Sequence, residues 1–417
     1  MEGIYNGCMA VNHDSKANRD SLWGLNFGID FLLAHIYTGA LFVDENIPPF
    51  LLKAPIMCNA YSLFGEIANG KHYFGRDFMF PTAGVYQDTA CLVIYNQTEL
   101  PGKKWLPIVS QTAPGMVGSV AAMNSEGVAI GVDMSPTKLC NPARPGLNSL
   151  ALNRDCMIHC DTIDKVVSHV EALPRGVSWL YPVSDGKSDK SCIIEAGANI
   201  GDAPFPYFDF LSDYYKENLK ELNEDYITRM REKYRTPAPQ AGMMVRWPDY
   251  KYPKDYITDF NKKMWKLYND DFRKRMKKFG SDIITGLISS ILNPLNPIKA
   301  LEGLEKAIAD LLKKIKYNPD VFGEKGYIDK TWKDHNCPGP FYFAPQREDH
   351  DNVVLVSNHC ITPEMRLTAM NEWVAFVAAG SINDIQWRYD ELNCEILDAI
   401  GFAKESKRPI NKDRAWR

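Results

Sequence analysis

The sequence has no C-x-x-C pair, no long apolar run and no basic surplus, and each absence excludes a class of protein. Its ten cysteines are scattered without regular spacing. That excludes a disulfide framework or a zinc ribbon, and it fits free thiols in a reducing, cytoplasmic setting. The formal net charge is −4 and the pI is near 6.1, so neither a nucleic-acid surface nor an acidic solvating tail is expected. Residues 1–20 carry no positive region followed by an apolar stretch, and no secretory signal is read there. The most apolar early stretch, Phe27 to Val43, contains Asp30 and His35, so no integral membrane span is expected. Gly-rich phosphate loops, a Gly-x-Ser-x-Gly elbow and internal repeats are missing too. What is present is 45% apolar residues over 417 positions, enough for one large interrupted domain or for two.

The texture changes three times along the chain. Residues 1–57 read as a leader-like segment that ends extended around Pro48, Pro49 and Pro55. From Cys58 onward short strand-like runs follow one another: Ala60 to Gly65, His72 to Gly75, Cys91 to Asn96, Gly118 to Met123 and Val128 to Asp133. Turn signals such as Asn69-Gly70 and Pro114-Gly115 separate them. Residues 147–172 read as two helices, the second capped by Asp161 or Thr162, and Ser191 to Ala196 as a further strand. Residues 202–337 are rich in Lys, Glu, Tyr and Asp and read as a mainly helical insertion. Within it, Ile283, Leu287, Ile288, Ile291 and Leu292 share one helical face, and Leu301, Leu304, Ile308, Leu311, Leu312 and Ile315 another. These are an amphipathic pair packed on the domain, or a surface or lid element. The basic block Arg273 to Lys278 is a solvated helix face. Strand character returns at Val353 to Ser357, and helical patterning runs from Trp387 to the end. The strand-rich body is therefore expected to comprise 58–201 and 338–417.

Cys58 stands at the seam between leader and body. A cysteine there can attack the carbonyl of Met57 and pass through a thioester that water opens. The chain then begins at Cys58 with a free α-amine. Such an amine titrates near ~8 and can act as base for its own thiol without a histidine. Cys156, His159 and Cys160 share a helical face, but no fourth ligand lies nearby, and no metal site is expected.

The run Cys58-Asn59-Ala60-Tyr61-Ser62, followed by Gly75-Arg76-Asp77, resembles the start of the N-terminal-nucleophile (Ntn) cysteine hydrolases of the choloylglycine hydrolase, penicillin V acylase and acid ceramidase type. It is closest to their isopenicillin-type acyltransferase branch. Met123-Asn124-Ser125-Glu126-Gly127 with Gly131-Val132-Asp133, Ser184-Asp185-Gly186 leading to Ile194-Glu195, and Val356-Ser357-Asn358-His359 resemble later motifs of that family in the same order. The matching stretches span 58–200 and 353–392.

The resemblance implies an α+β, four-layer αββα sandwich with a helical insertion. It implies hydrolysis of a linear, non-peptide C–N amide bond in a small-molecule N-acyl substrate, through a Cys58 thioester, without metal or organic cofactor. Acyl transfer from a thioester to an amine is the alternative chemistry, and an uncut binding protein plugged by residues 1–57 the alternative class. Homo-oligomers are usual in the family. Asn358 would hold an oxyanion, Arg76 would secure the Cys58 region, and Asp133 and Asn124 fall to substrate or oxyanion contact. A further family arginine is Arg366 or, preferred, Arg388. Two departures stand out. The family's acid three residues after Arg76 is Met79 here, leaving Asp77 as the nearby carboxylate, on the opposite strand face. Asp133 occupies an oxyanion-hole Asn position, where it binds a substrate amine, is protonated, or leaves the duty to backbone groups.

Overall fold

Alternation of side chains decides the first sheet. In β1 (Met57–Leu63), Cys58, Ala60 and Ser62 point to one face and are buried, while Asn59 and Tyr61 point to the other and are half-buried. β1 is the middle of a three-stranded antiparallel sheet, between β2 (Tyr73–Met79) and a late strand, Val353–Val356. Asn69 and Gly70, both at positive φ, make the turn that precedes β2. Gly75 faces Tyr61 so closely that a Cβ would sit 2.5 Å from the ring.

The structure is a computed structural model that describes residues 1–37, 57–79, 85–96, 99–100, 103–135, 137, 140, 146–199, 242–250, 351–362, 365, 382–406, 408, 410–411 and 415. The chain divides into two units. One comprises Met1–Asn46, Ala54–Pro253 and Arg347–Arg417; the other comprises Ile47–Lys53 and Lys254–Gln346 and lies wholly outside the described residues. The two expected amphipathic faces of 283–315 and the basic block at 273–278 lie outside them as well.

The first unit is mixed α and β with antiparallel sheets. After a short helix, α3 (Val85–Thr89), come β3 (Cys91–Tyr95), the small hairpin β4 (Glu99–Leu100) and β5 (Lys103–Lys104), β6 (Ile108–Thr112), β7 (Ala121–Asn124), β8 (Val128–Gly131) and β9 (Asp133–Met134). β10 (Trp179–Asp185), β11 (Lys190–Ala196), β12 (Met243–Arg246) and β13, the late strand above, complete the set. The second sheet runs β12-β11-β10-β8-β7-β6-β3, with β9 also on β10.

Two of its strands depart from the sequence expectation. β10 contains Pro182, which argues against a central strand; it stands opposite Ile193 of β11, where pairing on the other edge passes from β9 to β8. β12 falls inside the stretch read as a helical insertion, yet pairs along β11 from Ile193↔Arg246 to Ala196↔Met243. That piece belongs to the sheet.

The sheets face each other through Ala60, Val354 and Val356 on one side and Leu180 and Ile193 on the other. On the outer face of the first sheet, Leu63, Val353 and Leu355 meet Tyr389, Ile396 and Ile400 of the C-terminal helix Ile382–Ser406. That helix starts before Trp387 and stops at Ser406, short of the expected run to the end. On the outer face of the second sheet lie α4 (Ser149–His159) and α5 (Ile163–Ala172). The Asn148 side chain caps α4, accepting from Leu150 and Ala151 N–H, and Thr162 caps α5. The C-terminal helix is α6.

Residues 1–37 are built into this body. α1 (Glu2–Val11) leads to α2 (Arg19–Tyr37), whose Leu33 and Ala34 are fully buried. The Asn26 carbonyl accepts from Val117 N–H at 2.6 Å and its amide donates to Gly115 O at 2.8 Å. Asp30 accepts from Ser149 N–H (2.7 Å), Ser149 Oγ–H (2.9 Å) and Trp179 Nε1–H (3.2 Å). Among the described residues, no helix is long and apolar enough to cross a membrane.

Burial lifts the Asp30 carboxyl to about 7, against the pull of those three donors. Between the ordinary carboxylate range and that value, the folded state binds the proton more tightly than the unfolded chain, so Asp30's contribution to stability falls as pH rises from about 4 to about 7. The cost is at most about 4 kcal/mol. Asp30→Asn removes it. The difference in melting temperature, variant minus wild type, is expected to rise from pH 5 to pH 8, and a difference independent of pH would contradict the assignment.

Candidate active site

Cys58 is the second residue of β1 and is fully buried, opposite Phe78 on β2. The Met57–Cys58 peptide thus lies inside the ladder, Met57 being paired with Met79; both of those side chains lie outside the described set. The Cys58 N–H donates to Oδ1 of Asn358 at 2.7 Å, across 300 residues of chain. Nδ2 of the same amide donates to Met134 O at 3.0 Å. A donor on one side and a carbonyl on the other leave one orientation for the Asn358 amide.

Arg76 reaches the sulfur from β2. Its Nη2 lies 3.7 Å from Cys58 Sγ, donates to Val132 O, and is 3.5 Å from Asp133 Oδ1. The two side chains of this pair are almost completely buried, at 2% and 0% exposed. The Arg76 guanidinium also stands 4.6 Å over the Phe78 ring, which Tyr86 meets edge-on. Among the described residues, Arg76 Nε and Nη1 have no hydrogen-bond partner. A cation at this range stabilises the charge a sulfur carries as a nucleophile. Asp133 faces that cation.

The loop that carries Asn358 is held by Glu195, which the sequence reading quoted only as part of a hairpin. Its buried carboxylate accepts from Ile361 N–H (3.0 Å), Thr362 N–H (3.2 Å) and Thr362 Oγ–H (2.6 Å). Arg246 of β12 lies 3.4 Å from the same carboxylate and donates to Leu355 O at 2.7 Å. A lone acid in the apolar run Cys192-Ile193-Ile194-Glu195-Ala196 was the available signal, since a buried charge needs partners. Arg246 gave none, because its strand was not recognised.

Other expected residues are not brought to Cys58. Asp77 is exposed on the opposite face of β2, where it accepts from Asn59 N–H at 2.6 Å. Asn124 is a buried turn residue: its amide donates to Met157 O and Cys160 O, and its carbonyl accepts from Glu126 and Val128 N–H. That commitment leaves it no contact for a substrate. Arg388 lies on α6 with its side chain outside the described set, and Arg366 lies outside it altogether. A cavity of about 620 Å³ lined by Tyr61, His72, Phe74, Leu92, Met123 and Ser184 does not include Cys58 in its walls.

Comparison with known proteins gives little to set beside this geometry. No family model matches the chain. An uncharacterised protein of Archaeoglobus fulgidus is 31% identical over 202 residues, which are 48% of this chain and 32% of that protein. The chain thus spans about a third of the length of the curated relative it matches. Among solved structures, a mutant of the conjugated bile acid hydrolase from Clostridium perfringens is similar at a TM-score of 0.24 and 13% identity, over 33% of this chain and 48% of that one. A likeness that slight carries no functional argument.

Removing either member of the Arg76–Asp133 pair leaves the other charged in a site without water. Arg76→Ala and Asp133→Ala are each expected to cost about 3–5 kcal/mol in urea unfolding. The double variant is expected to fall short of the sum by more than about 1 kcal/mol. Additive losses would show that the pair is not coupled.

Proposed function

We propose that this protein is a self-processing cysteine amidohydrolase of the Ntn type on a four-layer αββα body, with Cys58 as nucleophile. The observation that carries this reading is the convergence on Cys58. Its sulfur faces a buried guanidinium from the neighbouring strand, and its backbone nitrogen faces a side-chain amide from 300 residues away. A core cysteine needs neither. The packing of α4 and α5 on one sheet and of α6 on the other supports the layered body.

In the first reaction the Cys58 thiol adds to the Met57 carbonyl carbon. The C–N bond breaks, the nitrogen takes up the thiol proton, and Met57 is left as a thioester on Sγ. Water opens that ester, releasing the Met57 carboxylate and regenerating the thiol. The new α-amine stays beside Asn358 Oδ1, its present partner, with the thiol on the same residue.

In the second reaction the amine takes the thiol proton, and the thiolate attacks the amide carbonyl of an N-acyl substrate. The leaving amine receives that proton, and water or an acceptor amine then discharges the acyl thioester. Water gives hydrolysis; an amine gives acyl transfer. Asn358 Nδ2 carries two hydrogens, so it can keep its bond to Met134 O and turn the second toward an oxyanion on the substrate. Arg76 offsets the negative charge of Asp133 next to the site. The reading invokes no cofactor.

A second reading keeps the chain uncut as a binding protein. The ladder position of Met57 and the engagement of both ends of the Asn358 amide favour it.

Intact mass separates the two: wild type is expected to yield a chain that begins at Cys58, while Cys58→Ala is expected to stay whole. A panel of N-acyl amides, bile-salt conjugates and penicillin V should be turned over by wild type alone, with products compared with and without added amine. Activity in Cys58→Ala, or in wild type still continuous through residues 57 and 58, would overturn the proposal.

A further inference from the structure

Away from Cys58, on the outer face of the second sheet, three side chains that the mechanism does not use converge. Asp155 and His159 are one turn apart on α4, and His169 reaches across from α5. His159 Nδ1 lies 3.3 Å from Asp155 Oδ1, and His169 Nε2 lies 2.7 Å from Asp155 Oδ2. One ligand atom from each residue lies within 4.8 Å of the other two, a spacing that a single ion can bridge. A salt bridge would account for one imidazole on the carboxylate. Here two, from different helices, address its two oxygens. The Trp105 ring stands edge-on to His159, at 85° between planes, and limits its rotation. All three residues are partly exposed, so an ion can enter from solvent.

We propose that Asp155, His159 and His169 bind a divalent transition-metal ion of the zinc class, which ties α4 to α5. Two imidazole nitrogens and one carboxylate oxygen suit zinc, nickel, cobalt or copper; calcium and magnesium require sets of oxygens. Both histidines lie in the last turns of their helices, where unpaired carbonyls favour a cation. On binding, the metal takes the Nδ1 lone pair of the His159 tautomer that carries its proton on Nε2, and the bond from Nδ1 to the Asp155 carbonyl oxygen, 3.0 Å away, is given up. Water fills the remaining position. Cys156 and Cys160, on the face where the sequence placed His159, take no part: both are buried free thiols. The site is independent of the reading of Cys58.

The test is titration of the full-length protein with zinc chloride by calorimetry, and with cobalt(II) by visible absorption. One equivalent per chain is expected, with a cobalt spectrum of nitrogen and oxygen ligation, and zinc is expected to raise the melting temperature. His159→Gln and His169→Gln change partly exposed residues. Each is expected to weaken binding by more than about tenfold, the loss that even an outer-shell partner's removal can bring, and to abolish the thermal shift while leaving the metal-free melting temperature in place. Binding should also weaken in acid, because protons compete with the metal for its ligands. No saturable binding below about 1 mM, a few kcal/mol short of a real site, would overturn the proposal. So would a thiolate charge-transfer band with cobalt, or affinity unchanged in the double variant.

Discussion

A guanidinium and a carboxylate shut away from water beside one sulfur atom constrain everything around Cys58. Arg76 and Asp133 come from different sheets, so their pairing ties β2 to β9 across the interior as no apolar contact there could, with direction as well as proximity. The pair also sets the local charge. Asp133 alone would place a negative group where negative charge has to develop; with Arg76 against it, the balance returns to neutral, and the cation still reaches Sγ. Burial makes this costly to disturb, since either partner without the other is an uncompensated ion in a low-dielectric site.

The same logic recurs one strand further on. Glu195 is a buried carboxylate that gathers the backbone of Ile361 and Thr362, and Arg246 neutralises it while holding Leu355 O. Together they fix the exit of β13, and with it Asn358. The amide that meets Cys58 N–H is therefore positioned by a second ion pair contributed from β11 and β12. Asp30 is a third buried carboxylate, satisfied by neutral donors alone, and burial accordingly wins and pushes its carboxyl up to about 7. Three buried acids thus join segments distant in sequence, and the joint at Asp30 builds α2 into the body.

Much of the sheet framework was legible from local signals. Asn69-Gly70, the alternation after Cys58, the apolar run of β13 and the Thr162 cap all act within a few residues, so pattern reading found them. β10 escaped because Pro182 argues against a strand, and only pairing along both its edges makes it one. β12 escaped because four residues among a charged, proline-broken stretch carry no periodicity; β11 alone recruits them. Asn124 was read as a contact residue from its motif, whereas its carbonyl serves a turn and its NH2 the end of α4.

By itself the sequence determined the strand-forming pattern from Cys58 onward and the two helices of 147–172, because these depend on neighbours along the chain. Tertiary structure alone decided that Asp133 answers Arg76, that Asp77 turns outward to Asn59, and that Asn358 meets Cys58. It also decided that Asp155, His159 and His169 share one corner of two helices. Each of those outcomes depends on the desolvation and distance of groups separated by ten to three hundred residues, and neither quantity exists until the chain has folded.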